Sequence, residues 1–390
     1  MNRIIKSLRP YPMEELNRIK DELIRKKIRI YDFGTGDPKE PTDRKIINAL
    51  LNALTDVSQY PSVVGKKELR NSISKWFEKR FNIKLDPEKE IIPSNGSKEA
   101  IFHFPLTFID PDEDKKLVIF GTPGYPVYER GTLYANGIPY PVKLKEEDGF
   151  LLRLDKIDKE ILKKTKIVWI NYPHNPTGAT ASLSYLEEVY SICREYDIIL
   201  CSDECYTEIY FDSKPPSALQ VGKEGVVVFH SLSKRSGMTG YRSGFVAGDF
   251  RIIQEYKKSR ASFGVATPDF IQSAAAVAWS DESHVEKRKN IFKRKRDIFI
   301  DFLERIGLDY FYPEATFYFW IKAPYGMTGE DYAKYLLNYG IVVSPGVNFC
   351  SGIEILENKC SSYYFRIALV PTIEECKEAV SVWEKAHRRL

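Results

Sequence analysis

Apolar residues recur along this chain at two different periods. Met13, Leu16, Ile19 and Leu23 keep helical spacing and predict a helix over 12–27; Leu69, Ile73, Trp76 and Phe77 do the same over 66–81, and 43–54 reads likewise. Against these stand short, unbroken apolar runs: 117–120 (LVIF), 167–170 (IVWI), 198–201 (IILC) and 226–229 (VVVF). Such runs fit strands covered on both faces, as parallel sheets are. Further strands are expected over 28–33, 91–93 and 138–144, with helices over 127–134 and 183–196 between strands. Strands alternating with helices predict right-handed crossovers and a mostly parallel sheet, with any ligand beyond the carboxyl ends of the strands. After Gly248 the pattern turns helical, over 270–279 and 285–306, then mixed, with strands over 317–321 and 363–369 and a closing helix over 374–388. We therefore expect one domain over 46–290 and a second made of 1–45 with 291–390, because one helix and a short strand are too little to fold alone.

Composition excludes several classes of function. Over 390 residues, 58 Lys and Arg against 54 Asp and Glu leave a net charge of +4, too small an excess to imply a polyanion partner. The most basic run, 287–296 (KRKNIFKRKR), has Ile291 and Phe292 at its centre and is expected to be the solvated face of a helix, not a nucleic-acid surface. No apolar run approaches the roughly 18 residues of a membrane span, and the first residues lead into no signal-peptide core, so a soluble, cytoplasmic protein is expected. Six cysteines, at 193, 201, 205, 350, 360 and 376, are too scattered for a disulfide framework, and Cys201 and Cys205 lack a second ligand pair for zinc. Buried thiols and no metal are expected.

Candidate chemistry concentrates in 226–248 (VVVFHSLSKRSGMTGYRSGFVAG), read as a strand, a polar loop holding Lys234, and a second strand over 244–247. A lysine between apolar strands loses solvation, its pKa falls, and its neutral amine can bond to an aldehyde carbon. That is the behaviour of a lysine carrying pyridoxal phosphate (PLP). The hydroxyls of Ser231 and Ser233 and the planar fork of Arg242, eight residues past the lysine, suit the phosphate. Alone, the pattern Ser-x-Ser-Lys fits a solvated surface lysine as well, so its companions decide.

Those companions sit at other strand ends. Asp203 closes one strand, with Tyr206 three residues on; Asn175-Pro176-Thr177-Gly178 follows another; Tyr125 lies in a Pro-Gly-Tyr-Pro loop after a third. Gly96-Ser97-Lys98 opens a helix whose free N–H groups suit a phosphate. Singly these are a cap, a turn and packing. Together, in this order and spacing, they resemble the class I and II aminotransferases of PLP fold type I, over nearly the whole chain. The resemblance implies an α/β fold with a large domain on a mainly parallel seven-stranded sheet and a smaller α+β domain. It also implies catalytic roles for Lys234, as imine partner and general base, for Asp203, paired with the pyridine nitrogen, and for Tyr206. Asn175 and Tyr206 would hold the ring 3-oxygen, Tyr125 would stack on the ring, and Gly96, Ser97, Lys98, Ser231, Ser233 and Arg242 would bind phosphate. Tyr60 corresponds to a tyrosine that reaches the neighbouring subunit's phosphate, which implies a homodimer with shared sites. Arg366 corresponds to the arginine that grips the substrate α-carboxylate, with Gly36 and Asn175 beside it.

The activity so implied is amino transfer between an L-amino acid and a 2-oxo acid, with glutamate and 2-oxoglutarate as one pair. The phrases GTGDP, NGSKEAIFHFP, NYPHNPTG, DECYTEIY, SLSKRS and RSGFVAGD resemble the diaminopimelate branch of lysine biosynthesis most. N-succinyldiaminopimelate and LL-diaminopimelate are both open as substrates, with aspartate the alternative. A β-lyase would keep the same cofactor residues; a PLP-binding regulator without turnover would carry a DNA-binding segment, for which about 45 residues ahead of the large domain leave no room. Residues 315–318 (ATFY) stand where many relatives have a glycine-led loop, and Met238 and Tyr241 also depart from the pattern. For a distal substrate carboxylate, Arg235 and Arg260 are candidates by proximity alone, against surface charge.

Overall fold

The structure is a computed structural model that describes residues 4–5, 12–352, 354 and 363–390. In chain order it opens with α1 (Pro12–Arg25), β1 (Tyr31–Asp32), α2 (Arg44–Asn52), α3 (Lys67–Phe81), β2 (Ile91–Ser94), α4 (Ser97–Phe108), β3 (Leu117–Thr122), α5 (Val127–Tyr134) and β4 (Ile138–Lys143). There follow α6 (Lys159–Lys163), β5 (Thr165–Asn171), α7 (Leu183–Glu195), β6 (Ile199–Asp203), β7 (Val226–Ser231), α8 (Leu232–Arg235), β8 (Gly244–Gly248), α9 (Phe250–Ser262), α10 (Asp269–Ser280) and α11 (Ser283–Ile306). The remainder holds β9 (Tyr310–Phe311), β10 (Tyr318–Lys322), α12 (Gly329–Leu337), β11 (Ile341–Val342), β12 (Ser344–Pro345), β13 (Tyr364–Ala368) and α13 (Ile373–His387). Local chemistry sets several helix starts: Asp43, Ser182 and Asp249 accept from backbone N–H groups of α2, α7 and α9, and Thr372 with Glu375 forms a reciprocal box at α13.

Seven strands make the main sheet in the order β2-β8-β7-β6-β5-β3-β4, all parallel except β8, which runs against both neighbours. Both faces are buried, which explains the unbroken apolar runs. Along β5 and β7, Ile167, Trp169, Val227 and Phe229 pack on one face with Phe104 and Tyr256, while Val168, Ile170, Val226 and Val228 pack on the other with Leu200 and Phe245. A four-stranded sheet, β12-β13-β10-β9, packs with α11 and α13 around a separate core that includes Phe299, Phe302, Phe319, Ile321 and Trp383. The mainly parallel α/β architecture expected from the sequence is thus the one observed. Among the described residues no helix is long and apolar enough to cross a membrane.

Four local expectations are corrected. The strand expected over 28–33 shrinks to β1, paired in parallel with β11. Around Lys234 the polar loop is a single helical turn, α8, because Ser231 Oγ accepts the Ser233 N–H at 3.1 Å and starts it. The basic run 287–296 is only partly a solvated face: Arg288, Lys295 and Arg296 are buried, and Lys295 pairs with Glu40 while donating to the carbonyl of Leu369 at 3.1 Å. Cys350 is disulfide-bonded, whereas Cys193, Cys201 and Cys376 are buried free thiols as expected.

Candidate active site

The carboxyl ends of β5, β6 and β7, the start of α4 and the loop 34–37 surround one cavity of about 780 Å³. Strand register brings the polar residues there: Asn171 ends β5 beside Asp203, the last residue of β6. Asp203 is buried, and its carboxylate accepts from Tyr128 Oη at 2.8 Å and from Cys205 Sγ at 2.8 Å. Asn171 Nδ2 donates to the Asp203 carbonyl at 2.8 Å, and Asn171 Oδ1 accepts the Asn175 N–H at 3.0 Å. One asparagine therefore positions both neighbours.

Lys234, on α8, also lines the cavity, and its Nζ donates to the Gly36 carbonyl. Burial, the largest influence, lowers its pKa from 10.5 to about 8; Asp37 and Cys205 oppose the shift, while Arg366 and Arg242 add to it. Burial likewise raises the Asp203 carboxyl, with the Cys205 and Tyr128 hydrogen bonds pulling it back. A buried carboxylate short of cationic company is fitted to a protonated ring nitrogen. Tyr206 Oη meets Tyr318 Oη at 3.0 Å, and burial pushes the Tyr206 phenol well up. Arg366, on β13, is buried; its Nη1 donates to Asn175 Oδ1 at 2.8 Å and its Nη2 to the Gly34 carbonyl at 2.9 Å. Its guanidinium lies 4.3 Å from the ring centre of Tyr318 and 4.6 Å from that of Phe349.

At the opposite end, Ser97, Lys98, Ser231, Ser233 and Arg242 line the cavity around the N-terminus of α4. Gly96 caps that helix at φ +79°, and a β-carbon there would stand 2.8 Å from Arg242 Nη2. Only glycine leaves the guanidinium its place. The N–H groups of a helix start, the hydroxyls of Ser97, Ser231 and Ser233 and a planar fork are the donor set of a phosphate dianion. A lysine with a lowered pKa, a carboxylate for a ring nitrogen, an aromatic wall at Tyr125 and this anion cradle together fit PLP.

The structure thus brings Gly36, Ser97, Lys98, Tyr125, Asn175, Asp203, Tyr206, Ser231, Ser233, Lys234, Arg242 and Arg366 to one cavity, with Gly96 directly behind Arg242. Tyr60 does not line it and is fully exposed. Arg235 and Arg260 are corrected. Arg235 points away from Lys234 into the protein, pairing with Glu282 and lying 4.8 Å from the ring centre of Trp279, and Arg260 is fully buried against Glu99. Neither lines the cavity. Tyr128, Asn171, Cys205 and Tyr318 were not singled out for this site by sequence reasoning. The departure over 315–318 has a local basis: Thr316 takes φ +69°, the backbone region glycine enters freely, and its own Oγ1 accepts the Tyr318 N–H at 3.1 Å.

Residues 28–382 match the family model described as Aminotransferase class I and II. The chain belongs to the class I and II aminotransferases. Among curated proteins, this aminotransferase chain is 40% identical over 382 residues to the LL-diaminopimelate aminotransferase of Aquifex aeolicus, covering 96% of each. It is 37% identical to LL-diaminopimelate aminotransferase 2 of a Nostoc species, covering 98% of this chain and 97% of that one. Among solved structures, an aminotransferase from Neisseria meningitidis superposes with a TM-score of 0.90 at 32% identity, covering 99% of this chain and all of that one. The aminotransferase family is one of PLP enzymes acting on amino and 2-oxo acids.

Proposed function

We propose that this aminotransferase binds PLP and moves the amino group of LL-diaminopimelate, in lysine biosynthesis, with glutamate and 2-oxoglutarate as the other pair. The observation that carries the substrate is the 40% identity, over 96% of both chains, with the Aquifex aeolicus LL-diaminopimelate aminotransferase. When bound, the cofactor supplies an electron sink next to the donor's Cα. Lys234 would hold it, and the lysine's freed amine, whose pKa burial brings to about 8, would be suited as the base for the Cα proton near neutral pH. Asp203 would keep the ring nitrogen protonated, Asn175 and Tyr206 would hold the ring oxygen, and Tyr125 would supply an aromatic wall beside the ring. Ser97, Lys98, Ser231, Ser233 and Arg242 hold the phosphate. Arg366, clamped by Tyr318 and Phe349, receives the α-carboxylate in its planar fork and so orients the Cα–H bond. The reading includes a homodimer in which Tyr60 serves the neighbour's site, a division into residues 46–290 against 1–45 with 291–390, and a cytoplasmic location.

A donor panel tests the substrate. With 2-oxoglutarate as acceptor, kcat/KM for LL-diaminopimelate should exceed that for aspartate by at least about tenfold, some 1.4 kcal/mol of differential transition-state binding. It should also exceed that for the N-succinyl derivative. Aspartate in first place would make the protein an aspartate aminotransferase and remove the lysine-pathway reading.

A further inference from the structure

Asp37 and Asn348 are among the polar side chains of the cavity that have no part in that scheme. Asp37 directly follows Gly36, lines the cavity, is exposed, and has no hydrogen bond or ion pair among the described residues. Asn348 lines the same cavity from the turn Gly346–Phe349 and is likewise unpartnered among the described residues. Each is next in sequence to a wall of the pocket around Arg366. Gly36 abuts Tyr318, where a β-carbon would come within 2.6 Å of the phenol oxygen, and the Phe349 ring lies under the guanidinium. Asp37 also acts electrostatically on Lys234. Asp37 is thus bonded to a glycine whose carbonyl accepts from Lys234 Nζ and which abuts Tyr318, the ring on which the Arg366 guanidinium lies.

A donor held by Arg366 and reacting at Lys234 extends its side chain into the rest of this cavity. In LL-diaminopimelate the distal carbon, roughly 5 Å from the reacting one in an extended chain, bears a second ammonium and a second carboxylate. We propose that Asp37 is a specificity-determining residue that accepts hydrogen bonds from the distal ammonium of the donor, while the Asn348 amide donates to the carboxylate on the same carbon. This rests on the LL-diaminopimelate reading. The same carboxylate disfavours donors whose distal end is only anionic, such as aspartate, by like-charge repulsion, and gains nothing from an N-succinyl derivative, whose distal nitrogen is uncharged. Attraction for one donor and repulsion of its competitors come from a single side chain.

The test uses the holoenzyme and an isosteric variant, Asp37→Asn, at an exposed position where loss of charge leaves no buried group unpaired. The ratio of kcat/KM for LL-diaminopimelate to that for glutamate should fall at least tenfold, chiefly through KM. Charge reversal, Asp37→Lys, should raise the corresponding ratio for aspartate above its wild-type value. A second pair, L-lysine with a distal ammonium and L-2-aminoadipate with a distal carboxylate, is measured as competitive inhibitors of glutamate turnover. Asp37→Asn should weaken lysine relative to aminoadipate at least tenfold. Because that comparison does not require LL-diaminopimelate to be the donor, a wild-type enzyme that prefers aspartate removes the substrate reading, whereas an unchanged lysine-to-aminoadipate ratio removes the role of Asp37. An equal loss for every donor, together with a displaced pH midpoint of the cofactor's visible absorbance, would make Asp37 a modulator of Lys234 and overturn the proposal.

Discussion

Lys234 owes its reactivity to its surroundings, and those surroundings were only half visible in the sequence. The apolar strands on either side predicted desolvation, and burial is indeed what brings the pKa from 10.5 to about 8. At pH 8 about half the amine is then neutral, against roughly 0.3% for an unperturbed lysine. Uptake of PLP by the apoprotein should accordingly rise with pH and level off above about 8. A stopped-flow pH series with its midpoint near 10.5 instead would show an ordinary lysine. The sign for stability is also fixed: between about 8 and 10.5 the unfolded chain holds the proton that the folded one has lost, so this group makes the apoprotein more stable as pH rises through that window. Side-chain identity was legible at Lys234, Asp203, Asn175 and Arg366, but the partners were not. Tyr128 reaches Asp203 across 75 positions of sequence, and Tyr318 clamps Arg366 from another strand. Arg235 shows the converse, since adjacency to Lys234 suggested a shared cavity but one helical turn sends the two side chains apart.

At the scale of elements, strong periodicity located β5, β7, α5 and α7 to within a residue or two, because each has a face, or both faces, that must be buried. Short pieces such as α8 and β11 left no such trace: four or fewer residues span at most about one period. The basic stretch of α11 misled for a related reason. Its pattern points to apolar residues on the buried face and cations on the wet one, yet Lys295 is fully buried and ties α11 to Glu40 and to the carbonyls of Leu369 and Val370. Replacing Lys295 by Met would strand a buried Glu40 carboxylate and two carbonyls. Loss of one partner of a buried pair should cost on the order of 3 to 5 kcal/mol. Urea unfolding of Lys295→Met should show that loss, and the double variant Lys295→Met, Glu40→Gln should recover part of it. Wild-type stability in the single variant would mean that the pair contributes nothing.

At the scale of the whole molecule, one surface segment is left apolar and uncovered by its own chain. Leu51, Leu54 and Val57 leave large apolar side chains exposed on the segment that leads to Tyr60, itself fully exposed. Apolar groups gathered on one segment are expected to be covered by a partner. Tyr60 does not line the cavity of its own chain, and the proposed homodimer, with its copies related by a two-fold axis, would give both the segment and the tyrosine a destination. Subunit complementation reads this directly. Tyr60→Phe and Arg366→Ala chains, each impaired when alone, are mixed after denaturation and refolded together. In a mixed dimer one site then has an intact Arg366 from its own chain and an intact Tyr60 from the other, so turnover should return to as much as half the wild-type value per dimer, while the second site carries both defects. If Tyr60 acted within its own chain, every site would hold one defect and mixing would restore nothing at any ratio.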